Sequence, residues 1–284
     1  MTAPAPVRSR DRRIEDVSNL WIVHPAAHGL LAIALRHRVS ANAVSVIGLV
    51  AGALAAVCYF HGPDARLATL GFLLSIAWLI ADGLDGMIAR ATGTTSALGR
   101  MLDGLCDHGV FILIYVAMAT SIGTATGWYL AFGAGFAHAL QSNLYEAERA
   151  RFHRRARGEL ATATSPPRFA LLRMYDAVAG GIDRLAAPFD RAMAERDRGN
   201  GAAASLGVDY ATAAVPAMRL MALLSANVRV LAIYIACLCG NPKYFWWFEI
   251  VPLSIVACVA IFWLRRVEAG LARTNASARG ATGR

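Results

Sequence analysis

Four aspartates stand at the ends of segments that are otherwise apolar enough to lie in a lipid bilayer: Asp82, Asp85, Asp103 and Asp107. An acid within a membrane helix costs roughly 2.5–3.5 kcal/mol on insertion scales, so four of them require a compensating charge. Carboxylate oxygens are hard ligands that suit Mg²⁺, Mn²⁺ or Ca²⁺ rather than zinc or copper. The aspartates therefore indicate a site for divalent cations.

Helical spacing places these aspartates on two stripes. Asp82 and Asp85 share a helical face with Gly86 and Ala89, at i, i+3, i+4 and i+7. The second stripe follows at i, i+4 and i+8 and consists of Gly99, Asp103 and Asp107. Two such helices packed as a hairpin enclose one cavity, where Arg90 can reach an anionic group beside the metals. The alternative, that the acids merely mark helix ends, accounts for one or two of them but not for four.

The composition predicts an all-α polytopic membrane protein. Of 284 residues, 57% are hydrophobic and 17% are charged, which is too apolar for a soluble domain and too long for a single anchor. The formal charge of +9 is almost all arginine, and the basic stretches lack interleaved aromatic residues. This pattern favours a membrane face rich in anionic lipid over nucleic acid. The five cysteines lie in apolar segments, so no disulfide is expected.

Apolar runs predict six transmembrane helices. The clearest is the uncharged run Ala41–Phe60, which is long enough to span at about 1.5 Å per residue. The other five are Leu67–Ile80, Val110–Ile122, Trp128–Leu144, Ala217–Cys239 and Tyr244–Leu264. We therefore expect an N-terminal region over 1–40, a six-helix transmembrane domain over 41–266 with a linker at about 146–210, and a disordered tail over 267–284.

The arginines predict the orientation. They crowd the N-terminal region, the turn between the aspartate stripes, the 146–210 linker and the tail, whereas the opposite loops hold only Arg66 and Lys243. By the positive-inside rule, the aspartates and both termini face the cytoplasm, and the expected location is a bacterial inner or cell membrane. The stretch Ile14–Arg38 mixes apolar and charged residues, which is typical of an interfacial amphipathic helix on that surface.

The aspartate motif resembles the signature of the CDP-alcohol phosphotransferases (the CDP-alcohol phosphatidyltransferase family), membrane enzymes of phospholipid biosynthesis. The matching residues read Asp82-x₂-Asp85-Gly86-x₂-Ala89-Arg90-x₈-Gly99-x₃-Asp103-x₃-Asp107. The resemblance is firm over residues 82–107 and reaches the rest of the chain through the family's six-helix fold.

This resemblance implies transfer of a substituted phosphate group from a CDP-alcohol, with release of CMP. It assigns the four aspartates to two divalent cations, Mg²⁺ or Mn²⁺, and makes Asp107 also the general base for the acceptor hydroxyl. The residues it implies for CDP binding are Asp85, Gly86, Ala89, Arg90, Gly99, Ser96, Asn42 and Ser45. The last two come from a weaker match: relatives often carry Pro-Asn-x-x-Thr, and this chain has Ala41 in place of the proline, keeps Asn42 and has Ser45 in place of the threonine.

Cationic residues in the fifth predicted span are candidates for binding the acceptor. Arg229 lies deep in the span, with Asn227 nearby and Arg219 closer to the cytoplasmic end. An arginine inside a membrane indicates a functional site by default, and these residues suit an anionic acceptor such as inositol phosphate or glycerol phosphate. The alternatives are that an arginine pairs with Glu249 or a motif aspartate, or that it snorkels to the interface.

In the fourth predicted span, His138 and Gln141 share a stripe near the cytoplasmic end and are further candidates for the acceptor site. Ordinary interhelical hydrogen bonds explain them almost as well.

The expected function is phosphatidyl transfer from CDP-diacylglycerol to a polar acceptor. One alternative within the family is transfer of phosphocholine or phosphoethanolamine from a soluble CDP-alcohol to a lipid hydroxyl. Membrane prenyltransferases space their aspartates differently, and a divalent-cation transporter needs acids along a pathway rather than at one face. The expected partners are the CDP-alcohol, the acceptor, membrane lipids and, from the family alone, a second copy of the chain; no nucleic acid is expected.

Overall fold

The computed structural model describes the backbone of residues 11–62, 64–94, 97–159, 187–196 and 203–282, with side chains apart from 97–107, 203 and 275–282. Every regular element in these ranges is helical. The helices are α1 (His24–Arg36, preceded by a π-helical turn at Asn19–Val23), α2 (Ala41–Phe60), α3 (Ala65–Thr92), α4 (Ala97–Ile122), α5 (Ala125–Ala156), α6 (187–196), α7 (Ala203–Met221), α8 (Ala226–Leu238), α9 (Lys243–Ile250) and α10 (Pro252–Thr282). The predicted all-helical class is confirmed for this part of the chain.

Three helical runs are long and apolar enough to cross a membrane: α2, α3 and Lys243–Thr274. The consecutive helices Ala204–Leu224 and Ala226–Leu238 pass the same test together as one broken span, and α4 contributes the shorter apolar run His108–Ile122. Within the ranges given above, the structure therefore supports three or four candidate spans rather than the six predicted. Helix α5, the predicted fourth span, is not among them because its second half is polar.

Two regions predicted to lie outside the membrane spans, the linker and the tail, contain helix. Helix α5 continues to Ala156 and α7 begins at Ala203, so both ends of the predicted 146–210 linker belong to helices. The expected disordered tail over 267–284 differs too, because α10 runs to Thr282. Its residues 268–273 are rich in Glu, Ala, Leu and Arg, which have high helix propensity and extend the apolar helix before them.

Capping residues determine where α2 and α3, the helices that carry the candidate site, begin and where α3 ends. The Ser40 hydroxyl caps α2 by accepting the Ala43 amide at 3.2 Å. The Asp64 carboxylate caps α3 by accepting the Arg66 amide at 2.8 Å. Helix α3 ends at Gly93, whose φ of 68° is in the left-handed region that favours glycine.

The chain divides into two compact units. The motif unit comprises Asp16–Gln141 and Leu224–Ser254, and the linker unit comprises Met1–Glu15, Ser142–Leu223 and Ile255–Arg284. In the motif unit, α2 packs on α3 and α4 around a large apolar core. Gly52 allows close approach of α2 and α4, since a Cβ at this position would lie 2.4 Å from a methyl group of Val110.

The linker unit is organised around a buried arginine. Arg155 donates to Glu268 at 2.6 Å and to Asp190 at 2.8 Å, and its guanidinium carbon lies 4.9 Å from the ring centroid of Phe189 and 5.2 Å from that of Tyr210. Helices α5, α6, α7 and α10 each supply part of this cluster. The guanidinium is thus satisfied by carboxylates at its edge and by aromatic faces around it.

Further ion pairs extend this cluster. Arg265 donates to Glu268 at 2.5 Å and also to Glu148, which in turn accepts from Arg151. Glu148 and Glu268 are both almost fully buried. The network therefore neutralises its buried acids with arginines of the same unit.

Candidate active site

The first stripe of the aspartate motif lies on one continuous helix. Helix α3 carries Asp82, Asp85, Gly86 and Ala89 in its last turns, so the predicted stripe is present as one helical face. Asp85 is buried and Asp82 is half-buried. Arg90 is exposed, and its guanidinium folds back over Gly86, where a Cβ would lie 3.2 Å from Arg90 Nη1. Glycine at position 86 therefore leaves room beside the carboxylates for a cationic group.

Helix α2 brings a hydroxyl to the same face. Ser45 donates a short hydrogen bond to Asp85 and also lies 3.2 Å from the Ala41 carbonyl oxygen. This approach depends on Gly48, because a Cβ there would lie 3.1 Å from the Ala81 methyl group. Asn42, one turn before Ser45, is exposed. Of the two α2 residues implied for CDP binding, Ser45 thus contacts the aspartate stripe directly.

The second stripe falls on helix α4. Its backbone covers Gly99, Asp103 and Asp107, so the three positions keep the i, i+4, i+8 register on one helix. Their side chains and the whole of Ser96 lie outside the described residues. The part of α4 that follows packs against α3, where the rings of Trp78 and Phe111 meet edge to face at 5.4 Å.

Helix α1 packs against another part of the α3 surface. Gly83 faces α1 and the turn before it, since a Cβ there would be 3.4 Å from a Val23 methyl group and 3.9 Å from the Ala27 methyl group. Ala27 and Ala34 of α1 share an apolar cluster with Leu84 of α3. The motif-bearing turns of α3 are therefore packed against both α1 and α2.

The donors present fit a hard divalent cation. Asp82 and Asp85 supply carboxylate oxygens one turn apart on an otherwise apolar helix, and oxygen donors are the ligands that Mg²⁺ and Mn²⁺ prefer. Within the part of the chain whose side chains are described, no group of three or more His, Cys, Asp or Glu residues is close enough to bind one ion. Asp103 and Asp107 lie outside that part, so a four-aspartate site depends on the register of α4.

The arginine of the fifth predicted span lies in a closed polar network. Arg229 is 0% exposed, and its Nε donates to Glu249 at 2.8 Å. Its Nη2 donates to Gln141 at 2.9 Å and its Nη1 to the Leu224 carbonyl. His138 Nδ1 lies 3.7 Å from Glu249 Oε1. The structure thus groups three of the candidate acceptor residues around Glu249, the partner that the sequence offers as an alternative for Arg229.

The other two acceptor candidates have different surroundings. Asn227 donates to the Asn19 side chain at 2.8 Å in the motif unit. Arg219 belongs to the linker unit, where its exposed side chain donates to the Arg13 carbonyl at 2.8 Å.

Sequence reasoning gave no role to two buried polar residues that meet in the fold, Ser225 before α8 and Asp16 before α1. The Ser225 hydroxyl, at the N-cap position, donates to Asp16 at 2.7 Å. Asp16 also accepts the Ser18 amide at 2.7 Å. The available signal was Ser225 itself, since serine directly before a helical run is typical of an N-cap; its pairing with Asp16 required the folded structure.

Comparison with known proteins places this site in a family. Residues 38–174 match the family model described as CDP-alcohol phosphatidyltransferase. The chain is also similar to a CDP-diacylglycerol--serine O-phosphatidyltransferase of Encephalitozoon cuniculi (strain GB-M1), with 32% identity over 91 residues. That similarity covers 30% of this chain and 24% of the relative, so the chain spans about a quarter of the relative's length. The expectation from the aspartate motif is confirmed: residues 38–174, which contain both aspartate stripes, form a CDP-alcohol phosphatidyltransferase domain.

Proposed function

We propose that this protein transfers a phosphatidyl group from a CDP-alcohol, with CDP-diacylglycerol as the donor, to the hydroxyl of a polar acceptor and releases CMP. The observation that carries the proposal is the face of α3 within the family domain, where buried Asp85 accepts a hydroxyl from Ser45 and Asp82 lies one turn away. Such a face has the chemistry to hold a metal-bound pyrophosphate.

Asp82, Asp85, Asp103 and Asp107 would hold two divalent cations, Mg²⁺ or Mn²⁺. When bound, these cations supply the positive charge that neutralises the nucleotide phosphates and the departing CMP. The hydrogen bond from Ser45 orients the Asp85 carboxylate, as outer partners of metal ligands commonly do.

The remaining family positions would receive the nucleotide. Gly86 and Ala89 have small side chains or none, which lets the nucleotide approach the helix backbone next to the acids. Arg90 is exposed there, and its guanidinium would bind a phosphate. Asn42 lies exposed one turn before Ser45 on α2. Gly99 and Ser96 complete the CDP-binding set by position in the motif.

In the proposed reaction, the acceptor oxygen attacks the phosphorus that carries diacylglycerol. A new phosphorus–oxygen bond forms there, and the bond from that phosphorus to the bridging oxygen of the pyrophosphate breaks. The acceptor proton passes to the Asp107 carboxylate, and CMP leaves with the bridging oxygen.

The acceptor class has two candidates. The sequence favours an anionic polyol phosphate, such as inositol phosphate or glycerol phosphate, because of its arginines. The relative named above acts on serine, and serine becomes a second candidate because Arg229 is already neutralised by Glu249. Arg219 and Asn227 remain candidates for acceptor binding from sequence alone. Transfer from a soluble CDP-alcohol to a lipid hydroxyl is the alternative within the same family.

We also propose the topology expected from the sequence: six spans, cytoplasmic termini, an active site facing the cytoplasm of a bacterial membrane, and assembly as a homodimer. Helix α1 and the turn before it would lie at the interface between the membrane and the cytoplasm. In support, they bury Ala27 and Ala34 against the motif unit while Trp21 is 78% exposed and Ile33 56% exposed.

A CMP-release assay tests the proposed reaction. Purified protein in lipid vesicles is given Mn²⁺ or Mg²⁺, either CDP-diacylglycerol or CDP-choline, and in turn serine, inositol phosphate, glycerol phosphate or diacylglycerol. CMP is expected from CDP-diacylglycerol with one polar acceptor. Absence of CMP from every pair, with folded protein, would exclude the proposal. The matched control is Asp107→Asn, which should lower turnover by about 10²–10⁴-fold while retaining nucleotide binding.

A further inference from the structure

The polar residues on α5 connect two sets of helices in the motif unit. His138 and Gln141 are three residues apart, so they share a helical face, and both are buried. Gln141 Nε2 donates to the Glu249 carbonyl at 3.0 Å and to Ser254 at 3.1 Å. This face of α5 is therefore bonded to α9 and to the start of α10.

The charges in this network are matched within the protein. Each end of the Arg229 guanidinium has a partner: Glu249 at Nε, Gln141 at Nη2 and the Leu224 carbonyl at Nη1. Both Arg229 and Glu249 are 0% exposed. Because Arg229 is fully buried, paired with Glu249 and bonded within the protein through all three of its nitrogens, an acceptor phosphate cannot reach its remaining N–H groups.

The same face of α5 also contacts α4 close to the motif. The His138 ring lies 4.3 Å from the ring centroid of Phe111 and meets His108 edge to face at 6.3 Å. His108 directly follows Asp107 along α4. The chain of contacts thus runs from Arg229 and Glu249 through α5 to the turn of α4 that carries the last motif aspartate.

We propose that His138 is a positioning residue for the transfer reaction, held by the Glu249 network and acting through His108 on the α4 turn that carries Asp107. This inference rests on the proposed function, because it assigns His138 to placing the acceptor's general base. It replaces an acceptor-binding role for His138, Gln141 and Arg229. A misplacement of about 1 Å near a reacting group can lower a rate by about 100-fold without changing substrate affinity.

The first test separates positioning from acceptor binding. His138→Phe keeps an aromatic ring against Phe111 and removes the ring nitrogens. We expect kcat to fall by about 10–100-fold, with the acceptor KM within about twofold of the unaltered protein. His138→Asn retains an amide donor close to the Nδ1 position and should recover most of kcat. Tyr59→Phe, a loss of a buried hydroxyl elsewhere in the motif unit, is the control and should leave kcat unchanged.

Two results would overturn the inference. One is a rise of the acceptor KM by about tenfold or more in His138→Phe with unchanged kcat, which indicates an acceptor ligand. The other is unchanged kcat and KM, which indicates a packing role alone. Because both require an active unaltered protein, they differ from failure of the proposed function, in which the unaltered protein itself releases no CMP.

A second test uses the charge pair. Arg229→Met leaves the Glu249 carboxylate buried without its arginine, so the yield of folded protein should drop sharply. The double variant Arg229→Met with Glu249→Gln removes both charges and should restore folded protein, with an acceptor KM within about twofold of the original. An acceptor KM that stays about tenfold or more above the original in the folded double variant would show that Arg229 binds the acceptor.

Discussion

Glu148 and Glu268 in the linker unit are as deeply buried as Asp85 in the motif unit, but the carboxylates meet different partners. The two glutamates are held by arginines at ion-pair distance, with Arg265 between them. Asp85 accepts a hydroxyl from Ser45 on a face that carries a second acid one turn away. Charge matching within the protein marks a structural network, whereas two acids one turn apart on one helical face supply the oxygen donors that we propose to bind cations.

The largest effect should follow from neutralising the stripe. Asp85→Asn keeps the shape of the side chain and a contact to Ser45 but removes the charge of a proposed metal ligand. We expect transfer activity to fall by about 1,000-fold, since a bound cation supplies several kcal/mol of transition-state stabilisation. The thermal unfolding midpoint without added metal should stay the same or rise. A variant that retains most of its activity would contradict the assignment of Asp85.

The corresponding change in the linker unit should affect stability instead. Glu268→Gln removes the carboxylate that Arg155 and Arg265 share, which leaves each of these two buried guanidinium groups with one fewer carboxylate partner. We expect a loss of about 3 kcal/mol in the free energy of unfolding, with kcat per folded molecule unchanged. Urea unfolding in detergent and CMP release measure the two quantities. If kcat falls and stability does not, the distinction between the units fails.

A smaller effect is expected when a methyl group is added where helices are closest. Gly207→Ala places a Cβ 2.3 Å from the backbone oxygen of Arg155 in the linker unit, which should cost about 1–3 kcal/mol of stability. Gly48→Ala in the motif unit instead moves Ser45 away from Asp85, so it should lower transfer activity by about tenfold. Gly29→Ala is the control, because no atom lies within 4 Å of its added methyl group. Equal losses of transfer activity in Gly207→Ala and Gly48→Ala would contradict the distinction between a structural linker unit and a motif unit that carries the active site.

The smallest effect concerns pH. Burial lowers the pKa of His153 in the linker unit, and Arg149 and Arg157 lower it further, whereas Asp11 and Glu15 act in the opposite direction. Because the folded pKa lies below the unfolded value near 6.5, stability is complete above this pH and declines as the pH falls through it. His153→Gln should therefore show a smaller drop in unfolding midpoint between pH 7.5 and 5.5. Parallel curves for the two proteins would exclude a contribution from this histidine.

Sequence alone placed the α3 stripe correctly, because helical periodicity and the motif spacing both refer to residues close along the chain. The buried contact of Ser45 with Asp85 is different: 40 residues separate the two side chains, and their meeting depends on how closely α2 packs at Gly48. Composition could not distinguish an arginine that binds an acceptor from one that neutralises Glu249. Both readings satisfy the cost of charge in a membrane, and the distances in the folded chain favour the second.

The linker unit was the least predictable region. Arg155 is surrounded by aromatic rings and acids from three other helices, and none of these partners shares a local pattern with it. The helical tail was also missed, because a polar composition rich in Ala, Gly and Arg is equally typical of disordered segments and of exposed helices.

Helix α3 has 28 residues, about 42 Å in length, whereas the hydrocarbon core of a bilayer is about 30 Å thick. Asp82 lies 17 residues after Ala65, which places it about 26 Å along the helix axis. A helix that enters at one face of the hydrocarbon therefore delivers its carboxylates to the depth of the opposite head groups. The lipid donor proposed above would meet them there with its acyl chains still among neighbouring lipids, so its turnover would follow its mole fraction in that leaflet rather than its concentration in solution.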